Sequence, residues 1–291
     1  MKPSTPPAHA DAGHAPPREA PSVAPLSGRE PWDLVAAAYQ KDMVSLFARF
    51  ADVALDLAEV RRESVVLDVA TGPGTLAFQA APRVARVVAI DFAPEMIAQL
   101  RERASREHVV NIESHVMDGQ NLSFGAATFD AVFSMFGLIF FPDRARGITE
   151  LRRVVKPGGR AVLASWAPIE QSPIISLGFS AVSAAMGEGR GPTERPALED
   201  SEELAAAMRA GGFEAVSVRQ VSYERSYPSA AAYWEMFARS FAPVLLLRRT
   251  LSDTAWTALE RDARARVTAA AGEGAIVLSG LANVAAATRP A

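Results

Sequence analysis

Apolar positions along the chain change period several times, and each change marks an element. From Pro31 the pattern is helical: Met43, Leu46, Phe47, Phe50, Val53, Ala54 and Leu57 recur at three- and four-residue steps and form one apolar face. Residues 64–70 (SVVLDVA) are a short β-branched run closed by a Gly/Pro turn, which predicts a buried strand. Strand and helix then alternate. Residues 87–90 predict a second strand, and 94–105 a helix with Met96, Ile97, Leu100 and Ala104 inward. A third strand is expected at 111–116, a fourth at 129–134 (FDAVFS), and a helix at 143–155 with Ile148, Leu151 and Val155 inward. Lys156-Pro157-Gly158-Gly159 predicts a sharp turn before a fifth strand at 160–166. Regular alternation with short connections argues for a doubly wound α/β fold, its parallel sheet covered on both faces.

After Trp166 the rhythm breaks. A helix is expected over 174–186, followed by a Gly/Pro/Glu-rich loop to Pro196. Asp200 or Ser201 caps a helix that stops at Gly211-Gly212. A strand near 215–221, two helical stretches between 229 and 270, and a last strand at 276–287 complete the pattern, with no internal repeat.

Composition narrows the function classes. The apolar fraction of 49% against 22% charged is enough to bury a substantial core. A net charge of −3 gives no electrostatic reason to expect nucleic acid or an anionic membrane. Cysteine is absent, which removes disulfides, thiolate metal sites and cysteine nucleophiles. Four scattered histidines (His9, His14, His108, His115) form no metal-ligand spacing, so no metal is expected. Residues 1–28 are rich in Pro, Ala and Ser with no apolar run, so they predict a disordered leader rather than a secretory signal. No stretch is apolar enough to span a bilayer, and a soluble cytoplasmic protein is expected. Residues 29–291 are read as a single domain that changes role near Ala167.

The sharpest motif is Asp68-Val69-Ala70-Thr71-Gly72-Pro73-Gly74, directly after the first strand. Gly72 and Gly74 let the backbone turn tightly and a ligand approach the main chain. The turn alone also fits the dinucleotide pattern G-x-G-x-x-A, so a nicotinamide-cofactor reading stands beside it, as does a turn without a ligand. The surroundings separate these. Asp91, ending the second strand, suits ribose hydroxyls under either cofactor reading. Asp68 lies inside the first strand, where a dinucleotide has no use for a charge but an ammonium group does. Asp118-Gly119, after the third strand, sets an acceptor where an adenine amino group could be read.

Together with Met96, Phe129-Asp130, Phe141-Pro142-Asp143 and Leu151-Arg152-Arg153-Val154-Val155-Lys156-Pro157-Gly158-Gly159, this set resembles the class I S-adenosylmethionine-dependent methyltransferases. More narrowly, it resembles the ubiquinone/menaquinone biosynthesis methyltransferase-like group. The resemblance covers residues 34–166 well and the remainder loosely. It implies a mostly parallel seven-stranded Rossmann-like sheet with a reversed last strand and inserted lid helices. Residues 29–166 would be an N-terminal helix with the cofactor half, and 167–291 the substrate and lid half. It implies S-adenosyl-L-methionine as cofactor and S-adenosyl-L-homocysteine as product. Gly72 and Gly74 would lie along the methionine part, with Asp68 near its amino group. Asp91 would take the ribose hydroxyls, Met96 would pack on the adenine, Asp118 would accept from its amino group, and Gly119 would offer a backbone contact. Tyr39 resembles a helix tyrosine that reaches the cofactor's carboxylate. Ala70 departs from the glycine that many relatives carry there.

The stretch after the fourth strand, Ser134 to Phe141, is almost wholly apolar, with Met135 and Ile139 where many relatives have polar groups. It suits an acceptor that is already nucleophilic, so no catalytic base is nominated. Of the many aromatic residues in the C-terminal half, Trp166, Tyr227 and Trp234, together with Phe136, are the expected lining of a small-molecule acceptor pocket. His115 and the Glu199–Glu203 charge run read as structural. The reading is methyl transfer to a small, largely apolar or aromatic molecule. The rivals are an NAD(P)-dependent oxidoreductase and a non-catalytic partner protein of the same fold.

Overall fold

The computed structural model describes residues 26–187 and 197–291. Most of the expected leader (residues 1–25) and most of the loop expected before Pro196 (residues 188–196) lie outside the described residues. Seven strands form one sheet in the order β3-β2-β1-β4-β5-β7-β6. They are β1 (Val65–Val69), β2 (Arg86–Asp91), β3 (Ile112–Val116), β4 (Phe129–Met135), β5 (Val155–Trp166), β6 (Glu214–Tyr227) and β7 (Ile276–Thr288). The first five run parallel, and β7 is reversed between β5 and β6. Val66, Leu67, Asp68 and Val69 are all buried although successive side chains point to opposite faces, so both faces of β1 are covered. The edge strand β3 has only half-buried and exposed positions.

Each covering helix carries its own local reason to form. Helix α4 (Pro94–Arg106) has Pro at its start, Glu95 in the first turn and Arg103 and Arg106 in the last, all favourable to the helix dipole. It buries Met96, Ile97 and Leu100. Helix α5 (Arg144–Val154) is capped by Asp143, whose carboxylate accepts from the Arg146 N–H at 2.9 Å. Helix α7 (Ser201–Ala210) is capped by Asp200, not Ser201, through the N–H groups of Glu202 and Glu203.

Several expected boundaries move. The N-terminal helix is two helices, α1 (Glu30–Asp42) and α2 (Val44–Leu57), divided at Met43. The glycine turn leads into the six-residue helix α3 (Thr75–Ala80). Helix α6 (Pro173–Met186) matches its expected span. The stretch from 229 to 270 holds three helices rather than two: α8 (Ala230–Ser240), α9 (Ala242–Thr250) and α10 (Asp253–Ala271). The Lys-Pro-Gly-Gly turn lies within β5 as a bulge, because Phe129 pairs with Val155 but Ala131 already pairs with Arg160. Asp130 holds this corner, accepting from Lys156 Nζ at 2.6 Å and from the Val65 N–H at 2.8 Å.

Candidate active site

Strand order reverses between β1 and β4, and there the carboxyl ends of the parallel strands open into a cavity of about 2670 Å³. That is larger than the ~300–1,000 Å³ of an ordinary ligand pocket, so it has room for two small molecules side by side. Tyr39, Asp68, Gly72, Asp91, Met96, Asp118, Gly119, Phe136 and Trp166 all line it. Residues from five strand ends and the N-terminal helices thus converge on one space.

The floor is the turn after β1. Gly72 and Gly74 have φ of +55° and +88°, in the left-handed region that favours glycine. Ala70 is left-handed too, at +56°, and so is Phe136 after β4, at +62°. These two turns touch: a Cβ placed on Gly137 would stand 2.2 Å from the Cβ of Ala70. Gly74 caps α3 and does not itself line the cavity; a Cβ there would meet Leu100 and Phe78 at 3.0 Å.

Two buried carboxylates face this floor. Asp68, 1% exposed, accepts the Thr71 hydroxyl at 2.6 Å. Burial pushes its carboxyl up to about 7 despite the hydrogen bonds from Thr71 and the Ala77 backbone, and the charge of Asp91 adds to the rise. Asp91, 5% exposed, accepts the Gly72 N–H at 2.8 Å and the Ala93 N–H at 2.9 Å. It is pushed up to about 6, again chiefly by burial. Two desolvated acids with no basic side chain hydrogen-bonded to either among the described residues favour a ligand that brings positive charge and hydroxyl donors.

Around them the nominated residues take distinct places. Met96, 2% exposed, lies with its Sδ 4.0 Å from where a Gly72 Cβ would be. The half-buried Tyr39 stacks on Phe47 at 5.7 Å, and burial together with the Asp91 charge raises its phenol above the ordinary range. Asp118 is exposed, and one of its oxygens accepts from the Gln120 backbone at 2.8 Å. Gly119 has a packing reason as well, because a Cβ there would be 2.5 Å from the Phe141 ring and 2.7 Å from Val69.

Phe136 and Trp166 stand 4.4 Å apart, with Phe47 at 4.9 Å from Phe136, and make an aromatic wall at the ends of β4 and β5. Tyr227 and Trp234 are not part of it. Both are buried, at 5% and 0% exposure, and neither reaches the cavity. Trp234 faces inward from α8 beside Phe237, and Tyr227 packs on Tyr233. The far wall is instead built by Ile175 and Phe179 of α6, Phe241 between α8 and α9, Leu246 and Leu247 of α9, and Leu259 of α10. Polar residues also line the cavity, among them Ser176, Ser180, Ser183, Glu170 and Glu199. Sequence reading also missed Thr71 and the Trp32–Phe140 contact at 4.8 Å, which closes the cavity from α1. A threonine three residues after a strand aspartate was the available signal for the first.

Parallel strand ends opening on a glycine-rich turn and two buried carboxylates, with a reversed last strand, are the layout of an S-adenosylmethionine-dependent methyltransferase. The sequence profile of the methyltransferase domain family matches residues 66–159. The chain is 35% identical over 162 residues to demethylmenaquinone methyltransferase of Deinococcus radiodurans, covering 51% of this chain and 67% of that protein. It is 31% identical over 137 residues to aklanonic acid methyltransferase DauC of Streptomyces sp. (strain C5), covering 46% of this chain and 62% of that one. Among solved structures, the [4+2]-cyclase SpnF superposes with a TM-score of 0.59 over 92% of this chain and 98% of that one, at 17% identity, a likeness of fold. The chain belongs to the class I S-adenosylmethionine-dependent methyltransferases.

Proposed function

We propose that the protein transfers the methyl group of S-adenosylmethionine to a small, largely apolar or aromatic acceptor, held between the Phe136–Trp166 wall and helices α6, α9 and α10. The observation that carries this reading is the continuity of one cavity from the two buried carboxylates to a wall of apolar side chains. The relatives point the same way, since two of them are named for a quinone precursor and for aklanonic acid.

Bound S-adenosylmethionine supplies an electrophilic methyl group on a sulfonium, which reacts by in-line displacement. The chain's own residues would bind and align. Asp68, oriented by the Thr71 hydroxyl, would take the ammonium group, and Tyr39 the carboxylate. Asp91 would accept the ribose hydroxyls while it continues to hold the Gly72 N–H. Met96 would pack on the adenine, Asp118 would accept from its amino group, and Gly119 would present backbone to it. Gly72 would keep the floor low enough for the ligand to lie on the main chain, while Gly74 lets the chain turn beneath it into α3.

At the acceptor end, residues 135–141, from the last residue of β4 onward, carry no titratable side chain. Rate enhancement there would come from alignment and exclusion of water, which together can supply ~7–11 kcal/mol. An acceptor that arrives as a phenolate, an amine or a stabilised carbanion needs no base from the protein.

A thermal-shift titration with S-adenosylmethionine, S-adenosylhomocysteine, NAD and NADP tests the reading. A ligand at about 100 times its Kd adds roughly 2.7 kcal/mol, which is several degrees at about 2–4 °C per kcal/mol. Shifts with the adenosyl ligands alone are expected, and a shift with the nicotinamides alone would falsify the reading. Asp91→Ala is expected to weaken S-adenosylhomocysteine about ten- to a hundredfold, as for a lost charged hydrogen bond. The far-ultraviolet spectrum should stay intact, and unchanged affinity would remove the ribose role.

A further inference from the structure

A buried polar knot joins the N-terminal helices to the acceptor side, and nothing in the methyl-transfer site uses it. Asp42, the last residue of α1, is 4% exposed although charged. Its carboxylate accepts from Arg239 Nε at 2.8 Å and Nη2 at 2.9 Å, and from the Ser240 hydroxyl at 2.7 Å. Its main-chain carbonyl accepts from Arg225 Nη1 of β6 at 2.6 Å. Burial works to raise the Asp42 pKa, but the hydrogen bonds from Arg239 and Ser240 and the charges of Arg239 and Arg225 outweigh it and hold the carboxyl below its ordinary value. The group is an anion held from three sides by residues 183 to 198 positions away.

Both ends of this knot lead into the cavity. Tyr39, one helical turn before Asp42, and Met43, next to it, line the cavity, Tyr39 close enough to Asp91 to feel its charge. Ser240, Phe241 and Ala242 line the same cavity, Ala242 packing against Val35, Ala36 and Met96 while the Phe241 ring packs on Phe179 of α6. The other ion pair from α1 to this side, Arg249 with Glu30, is more than half exposed at both partners and holds nothing rigidly. A bidentate guanidinium pair is geometrically strict, so a shift of the α1 end moves Arg239 and the residues beside it.

We propose that Asp42 is a positioning residue: through Arg239 and Ser240 it links the closing of α1 over the cofactor to the placement of the Phe241 wall that receives the acceptor. The inference rests on the methyltransferase reading above. Cofactor binding then orders the acceptor wall before any acceptor arrives.

Hydrogen exchange with S-adenosylhomocysteine as probe reads this without an acceptor. In the wild-type chain the probe should slow exchange in residues 30–43 and also in 230–250, the second by about five- to tenfold, the low end of usual coupling between sites. Asp42→Asn keeps the shape but drops the charge. It should bind the probe and protect 30–43 while the protection of 230–250 is lost, and Asp42→Glu should restore part of it. If Asp42→Asn does not fold, Arg239→Lys, which keeps the cation and loses the paired hydrogen bonds, carries the same expectation. Protection of 230–250 that persists in the variants, or is absent from the wild type despite bound probe, overturns the proposal. Failure of the wild type to bind the probe in calorimetry overturns the cofactor reading itself, and this inference with it.

Discussion

Ala70 and Gly137 meet where the ends of β1 and β4 diverge, and their contact decides how closely the cofactor floor and the acceptor wall approach. Gly137 is glycine because the Ala70 Cβ already fills the space at 2.2 Å from any added methyl group. Gly137→Ala is therefore expected to lose about 1–3 kcal/mol, the usual range for overpacking. Ala70→Gly should be close to neutral alone: it relieves a left-handed alanine, about 1–2 kcal/mol, and loosens the unfolded chain in return. Combined, the two changes leave the Ser134 Oγ at 3.4 Å and the Cα of residue 70 at 3.5 Å, both ordinary contacts, so the double variant should regain most of the loss. Urea denaturation of all four proteins measures the coupling, and strict additivity would sink the collision argument. Sequence could mark Ala70 as a departure from the glycine pattern. It could not show the reason, because Gly137 is remote in sequence and meets Ala70 only once β1 and β4 pair. The glycines themselves were legible because positive φ is a local demand. Tyr227 and Trp234 were not, because an aromatic on an amphipathic helix or strand looks the same whether its neighbour is a cavity or a core.

Among the elements, α6 shows how a ring seated on a glycine sets the acceptor wall. Gly178 is buried, and a Cβ there would lie 2.4 Å from the Phe237 ring of α8. The Phe237 ring reaches across to the α6 backbone at that point, and one residue further on Phe179 enters the cavity lining. Gly178→Ala is expected to drive the Phe237 ring off α6, lower stability by about 1–3 kcal/mol and displace Phe179, which packs on that ring. Affinity for S-adenosylhomocysteine should hold, since none of its proposed contacts lies on α6. Calorimetry checks the affinity and thermal unfolding the stability. A large loss of cofactor affinity would mean that the two ends of the cavity are not separable by element. The strand–helix alternation up to Trp166 was readable because each parallel strand is a short apolar run bounded by turn residues, whereas the break at Met43 was hidden. Apolar steps continue straight through it, and what turns the chain is the burial of Asp42 against Arg239, partners far apart in sequence. The division of the stretch after Ser229 into three helices was blurred for a related reason. The α8–α9 junction at Phe241 carries no glycine or polar turn, only Pro243 just inside α9.

At the scale of the whole molecule the buried acids make stability and ligand affinity run in opposite directions with pH. In an unfolded chain an aspartate titrates at about 3.9. In the fold Asp68 is pushed up to about 7 and Asp91 to about 6, so the folded state keeps protons that the unfolded state has released. Stability of the free protein should therefore fall as pH rises from about 4 to about 7, and level above that. Asp42, Asp130 and Glu150 act in the opposite sense. Their pKa values are lowered, so their contribution is present above the ordinary carboxylate range and lost as pH falls below it. The free protein is thus expected to be most stable near about pH 5, on the acid side of neutrality. Affinity for S-adenosylhomocysteine should do the reverse. Its ammonium group and ribose hydroxyls favour ionised Asp68 and Asp91, so affinity should rise by up to about tenfold per pH unit for each acid still protonated, then flatten above about pH 7. Calorimetry at about pH 5.5, 6.5 and 7.5, in two buffers of different ionisation enthalpy, measures both the affinity and the protons released. A flat affinity with no proton release would mean that neither acid meets the ligand. Release that persists in Asp91→Ala and vanishes in Asp68→Asn would place the titrating contact at the ammonium end.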